Sequence, residues 1–254
     1  MEWPAAEVVA VVTQPDRPAG RGKHVFAPPA KLVATRFGVP VLQPEKLAKA
    51  PEVVQAMKEL RPDVLVTVAF GQILKKDVLT MAPHGVINVH GSLLPHYRGA
   101  APINWALING EAVTGVTTMF SDAGIDTGKM LLRREIPLDL HVNAQELADI
   151  MATVGADVLI ETLDLLNCGK LIAKEQNHQE ATMAPRLTKE MGKIDWAKSA
   201  TELHNLTRGL YPWPGTFSYY KSAALKILRT AVAESKADSS SPGTITSVGE
   251  HVTV

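Results

Sequence analysis

Two side chains able to stabilise a developing negative charge stand two residues apart in this chain. They are Asn88 and His90, in the run GVINVHGSLLPHYRGAAP from Gly85 to Pro102. On a strand, alternation puts both on the same side. An amide N–H and an imidazole converging on one point can bind a carbonyl oxygen that turns negative under attack. A carboxylate, Asp126, follows in the Gly-containing turn DAGIDTG. Such a group can orient an imidazole or help move a proton off an attacking amine. Together these groups suit transfer of a small acyl group. Singly they are weak signals. A lone strand histidine is more often structural, and an aspartate in a turn more often makes an Asx turn. Spacing alone does not bring the three together.

The elements that must position them read as strands alternating with helices. Glu7–Thr13 (EVVAVVT) and Pro62–Ala69 (PDVLVTVA) are apolar, β-branched runs of the kind that form buried strands; Val86–His90 is a third strand. Val39–Leu42 is a short strand, and Gly115–Phe120 another. Pro29–Phe37, Pro51–Leu60 and Pro102–Asn109 have helical spacing, and Ala144–Asn167 is the longest helix candidate. This alternation predicts an α/β fold with a doubly wound, mostly parallel, Rossmann-like sheet. Sites in such sheets lie beyond the carboxyl ends of the strands, which is where Asn88 and His90 fall. After Gly169 the chain turns polar and connector-like, then reads as short strands with turns. The expected division is 1–168 an N-terminally truncated catalytic domain, 169–186 linker, and 187–254 a small, incomplete, β-rich, barrel-like domain.

Composition narrows the class. Among 254 residues, 26 basic groups balance 26 acidic ones, so no overall field marks a nucleic-acid coat protein. The single cysteine, Cys168, excludes a disulfide framework and reads as a buried or inert thiol. No signal peptide or apolar run of about 18 residues stands out. The expectation is a soluble, intracellular protein. No G-x-G-x-x-G follows a strand, which argues against a dehydrogenase.

NVHGSLLPHYRGAAP with DAGIDTG resembles the folate-dependent formyltransferase family, most closely its methionyl-tRNA formyltransferase branch. The likeness covers nearly the whole chain. Its branch-level part rests on TQPDRPAGRGK (Thr13–Lys23), VAFGQIL (Val68–Leu74), IDW (Ile194–Trp196) and RGLYPWP (Arg208–Pro214). The resemblance implies that Asn88, His90 and Asp126 form the catalytic trio. It implies that Ser92, Leu93, Leu94 and Pro95 contact the tetrahydrofolate carrier, and that Phe70, Gly71, Ile73 and Leu74 line the pterin pocket. Without it, Ile73 and Leu74 read equally as core. It further implies formyl transfer from 10-formyltetrahydrofolate, with no metal, to initiator methionyl-tRNA, by a monomer in a bacterial cytoplasm or an organelle.

From Arg17 to Arg36 there are five Lys or Arg and no Asp or Glu. Most such runs are solvated loops. The branch resemblance turns this one into a phosphate-contacting, tRNA-binding loop carrying Arg17, Arg21 and Lys23. Two alternatives stay open at this level. One is a formyltransferase of the same family acting on a small amine. The other is a non-catalytic folate- or RNA-binding fragment. The second arises because MEWPAA supplies none of the family's opening strand and Gly-containing turn, and the chain stops within a strand at Val252–Val254. The expectation is a fragment whose sheet lacks a central strand.

Overall fold

The computed structural model describes residues 6–19, 24–233 and 240–254. The chain divides into two compact units, each drawn from three stretches. The first holds the described residues up to His90, with Thr118–Leu132 and Leu159–Gln176; the second holds Gly91–Thr117, Arg133–Val158 and the described residues from Asn177 onward.

In the first unit, β1 (Val11–Val12) pairs in parallel with β4 (Val41–Leu42). Between them lie β2 (Arg17–Ala19), β3 (His24–Phe26) and α1 (Pro29–Arg36). Part of the expected basic loop is therefore a hairpin, with Arg17 opposite Phe26. Helix α2 (Pro51–Glu59) starts on Pro51, whose missing N–H costs nothing in a first turn, and carries Glu52 at the positive end of its dipole. Next come β5 (Leu65–Val68), α3 (Lys76–Leu79) and β6 (Val86–His90). Leu47, Val54, Met57 and Val78 form a buried core, with Val12, Leu42, Leu65, Phe70 and Leu74 packed against it.

In the second unit, β7 (Arg98–Gly99) precedes α4 (Pro102–Ile108). Strands β8 (Val113–Phe120) and β9 (Met130–Pro137) and the 24-residue α5 (Ala144–Asn167) run through stretches of both units. Then follow β10 (Met183–Ala184), α6 (Ala200–Leu210), β11 (Thr216–Tyr220), β12 (Ala223–Ile227), β13 (Ser247–Val248) and β14 (Val252–Thr253). Helix α6 opens with a capping box, Ser199 and Glu202 each satisfying the other's backbone N–H. It packs on α4 around the buried Leu210. The β11–β12 hairpin turns on Lys221 and Ser222, both at positive φ (45° and 67°), which matches the right-handed twist of the paired strands.

The strand order β5–β6–β8–β9 makes the one four-stranded sheet among the described residues; β1–β4 is separate. The β5–β6 pair is parallel, whereas β8 doubles back into β9, with Phe120 N–H bonded to Lys129 C=O at 2.9 Å, so the sheet is mixed. The α/β class holds. Several details are corrected. Strand β5 is not a continuous buried run: it ends the sheet order, and Val66 and Val68 are 41% and 60% exposed. An edge strand alternates where a central parallel strand would not. Val8 in the first strand candidate is also exposed. Cys168 is exposed as well. The C-terminal residues form two separate antiparallel pairs, with no closed barrel among the described residues, which fits the incomplete β-rich domain expected there. Strand β9 and helix α3 carry no clear periodic signal, and residue order does not announce them.

Candidate active site

Strand β6 delivers the two residues on which the chemistry is expected to rest. It pairs with β5 in a register that sets Thr67 beside Asn88. The Thr67 hydroxyl donates to Asn88 Oδ1 at 2.9 Å. An amide whose oxygen is engaged presents its NH2 donors elsewhere. His90, at the carboxyl end of the same strand, is 5% exposed.

Asp126 comes from the turn joining β8 to β9. Asp122 organises this turn from within: its Oδ1 accepts from Gly124 N–H at 3.0 Å and from the Thr127 hydroxyl at 2.6 Å. Gly128 admits no side chain, because a Cβ there would lie 1.9 Å from the Phe120 carbonyl oxygen. Asp126 itself has φ +52°, in the left-handed region. The outcome is a carboxylate Oδ2 placed 3.5 Å from His90 Nδ1. Two neighbours on β6, Asn88 and His90, and the sequence-distant Asp126 are thus presented by one strand and one tight turn of the first unit. Two donors and a nearby carboxylate can stabilise an oxyanion and organise a proton.

The Ser92–Pro95 turn lies in the second unit and is held through its backbone. The Thr117 hydroxyl donates to Ser92 C=O at 2.7 Å and accepts from Leu94 N–H at 3.1 Å. Arg133 donates to Leu94 C=O at 3.1 Å, and the Ser92 hydroxyl to His96 C=O at 2.6 Å. The Ser92 and Leu94 side chains are fully buried. Leu93 packs on Gly115, where a Cβ would stand 2.5 Å from its Cδ2. Just beyond, the Tyr97 phenol donates to Glu111 and accepts from Asn109 Nδ2 at 3.0 Å. Burial first, and the Glu111 bond second, push the phenol up to about 12.

The other predicted positions fall as follows. Phe70 and Leu74 are partly buried and pack against the first unit's core. Gly71 has φ +67°, and Ile73 is 82% exposed, which removes core packing as its account. Ile73 lines a cavity of ≈ 230 Å³ with Leu47, Pro51 and Val78. Arg17 forms an ion pair with Glu45 at 2.8 Å. The predictions for Arg21 and Lys23 lie outside the described residues. Lys31 of the same run is paired with Asp16; Gln43 first, then Lys31, hold that carboxyl below its ordinary range. Among the described residues no group of three or more His, Cys, Asp or Glu is placed to hold a metal.

Residues that sequence reasoning missed are Thr67, Thr117, Arg133 and Gln176. Thr67 is recoverable once β5 is paired with β6 in register. The others carry no local signal.

Known proteins match this chain along most of its length. The model of the formyl transferase family matches residues 2–163, and that of the formyl transferase C-terminal domain matches 186–254. The methionyl-tRNA formyltransferase of Acetivibrio thermocellus is 53% identical over 244 residues, covering 96% of this chain and 78% of that one. Its counterpart in Geotalea daltonii is 50% identical over 243 residues, covering 96% and 77%. Among solved structures, an N-formyltransferase from Helicobacter canadensis in complex with folinic acid and dTDP-3-aminofucose superposes with TM-score 0.65 at 20% identity, covering 85% of this chain and 74% of that one. A sugar N-formyltransferase from a Shewanella species gives TM-score 0.65 at 20% identity, covering 82% of each. At that identity the likeness is one of fold.

Proposed function

The chain belongs to the formyl transferase family, and from that premise we propose that it formylates the free α-amino group of methionyl-tRNA, with 10-formyltetrahydrofolate as donor. The observation that carries the choice of acceptor is the high identity, over nearly the whole chain, to methionyl-tRNA formyltransferases. The basic run from Arg17 to Arg36 supports the same acceptor.

In this reading the deprotonated amine attacks the formyl carbon. A C–N bond to methionine forms, and the carbonyl electron pair moves onto oxygen. Asn88 and His90 stabilise that oxyanion. Asp126 orients His90 and, through water, accepts the proton lost by the amine. The oxyanion then collapses, the bond from the formyl carbon to the carrier nitrogen breaks, and that nitrogen takes up one proton. The products are N-formylmethionyl-tRNA, used in translation initiation, and tetrahydrofolate. Ser92–Pro95 serve as a rigid platform for the carrier, its backbone set by Thr117 and Arg133. Phe70, Gly71, Ile73 and Leu74 form its apolar wall.

The domain division near residues 168 and 187 belongs to the same proposal; the two family-model ranges support it. So do a monomeric state and a bacterial cytoplasm, the latter supported by the bacterial origin of the relatives. Among the described residues no helix is long and apolar enough to cross a membrane.

A competition assay tests the function. The purified chain receives 10-formyltetrahydrofolate with charged initiator tRNA and with small amines such as glycinamide ribonucleotide or an amino sugar nucleotide. Formyl label on methionyl-tRNA is the expected result. Label on a small amine alone overturns the assignment.

A further inference from the structure

The segment that reads as a polar connector holds a buried amide aimed at the Asp126 turn. Gln176 is 4% exposed. Its Nε2 donates to two backbone carbonyls of one turn, Asp126 C=O at 2.9 Å and Gly128 C=O at 2.7 Å. A single NH2 group carries two hydrogens, so both donors are committed to this turn.

The residues before Gln176 are anchored to the same region. Lys174 and Met130 exchange backbone hydrogen bonds, each 2.8 Å, at the start of β9. Glu175 pairs with Lys129 at 2.9 Å. The Gln176 side chain is therefore delivered to the turn from a backbone already registered against it. Asp126 occupies the left-handed region, which is uncommon for a residue with a Cβ and most accessible to Asp and Asn. Asp122 braces the Gly124–Thr127 side of the loop, and Gln176 braces the carbonyls on either side of Thr127.

We propose that Gln176 is a positioning residue for formyl transfer. By clamping the Asp126 and Gly128 carbonyls it holds the Asp126 carboxylate at His90. This rests on the role given above to Asp126. Small misplacements of a catalytic group are costly in rate, so the effect of losing the clamp falls on kcat rather than on substrate binding.

The test is steady-state formylation of methionyl-tRNA by Gln176→Met, Asp126→Asn and the double variant, with thermal melts alongside. Methionine keeps the length and burial of glutamine but cannot donate. Expected for Gln176→Met is a kcat lowered roughly ten- to a hundredfold, with both KM values little changed. In the Asp126→Asn background the same substitution should cost almost nothing more. An unchanged kcat, or equal losses in both backgrounds, overturns the inference. Full activity in Asp126→Asn alone identifies a different failure, that of the role of Asp126, and removes the inference with it. Gln176→Glu keeps the question open to measurement should the methionine variant not fold. When protonated, the glutamic acid can donate to one carbonyl; when ionised, it repels both. Its activity relative to the parent chain should fall as pH rises through its titration. A flat ratio across that range overturns the proposal.

Discussion

His90 Nδ1 and Asp126 Oδ2 stand 3.5 Å apart. That is longer than a tight charge-assisted hydrogen bond, which spans about 2.7–2.9 Å. Catalytic hydrogen bonds in unliganded enzymes are often long and close only when substrate is bound. The pair is also nearly shielded from solvent, with side-chain exposures of 6% and 18%, so its electrostatics are little screened. Asp126 reaches this position through a turn in which Asp122, Gly128 and Gln176 each constrain the backbone.

The oxyanion donors should be the most sensitive positions. His90→Ala and Asn88→Ala are each expected to lower kcat roughly a hundred- to a thousandfold, the usual cost of one oxyanion donor. The KM values for carrier and methionyl-tRNA should change little, because the interaction removed belongs to the transition state. Near-normal turnover in both variants sinks the trio.

Thr67 acts one step back from the chemistry. Its hydroxyl engages Asn88 Oδ1 at 2.9 Å and thereby orients the amide. Thr67→Val preserves shape and removes the bond. With about 1 kcal/mol for such a bond, kcat should fall on the order of fivefold. Thr67→Ser should recover most of the loss. Equal rates for all three chains would show that the Asn88 amide is oriented without Thr67.

The Tyr97 phenol supplies a pH signature. Its folded-state value is raised from 10.0 to about 12 by burial and by Glu111. A raised phenol favours the neutral form in the folded state, so its stabilisation is complete below pH 10 and is lost between about 10 and about 12. Tyr97 is half-buried, and screening reduces the effect to about 1 kcal/mol. Alkaline spectrophotometric titration should show one of the four tyrosines ionising late. That late component should vanish in Tyr97→Phe; its survival there assigns it elsewhere.

The basic run makes a prediction separable from chemistry. Replacing Arg21 and Lys23 by alanine should raise the KM for methionyl-tRNA and flatten its dependence on salt, by about one slope unit for each phosphate no longer neutralised. The KM for the folate donor should stay where it is. Arg17→Ala should act more weakly, since Arg17 is already paired with Glu45. Unchanged tRNA kinetics would make the run a solvated surface.

Much of this protein is readable from residue order. Ala144–Asn167 and Val86–His90 are placed to the residue, because a long 3.6-residue period and a short apolar run flanked by turns leave little freedom. Asn88 and His90 are legible as a pair for the same reason: strand alternation is a local rule. Strand β5 reads as buried and is not, since its apolar run does not say whether it will be central or at an edge. What the tertiary structure decided is which distant groups meet. Thr67 reaches Asn88 only through the β5–β6 register, and Gln176 reaches Asp126 across a sequence separation of 50 residues. Periodicity describes a chain against its own axis. The placement of one segment on another depends on sheet register and on turns such as that of Asp126, whose left-handed backbone no side-chain pattern announces.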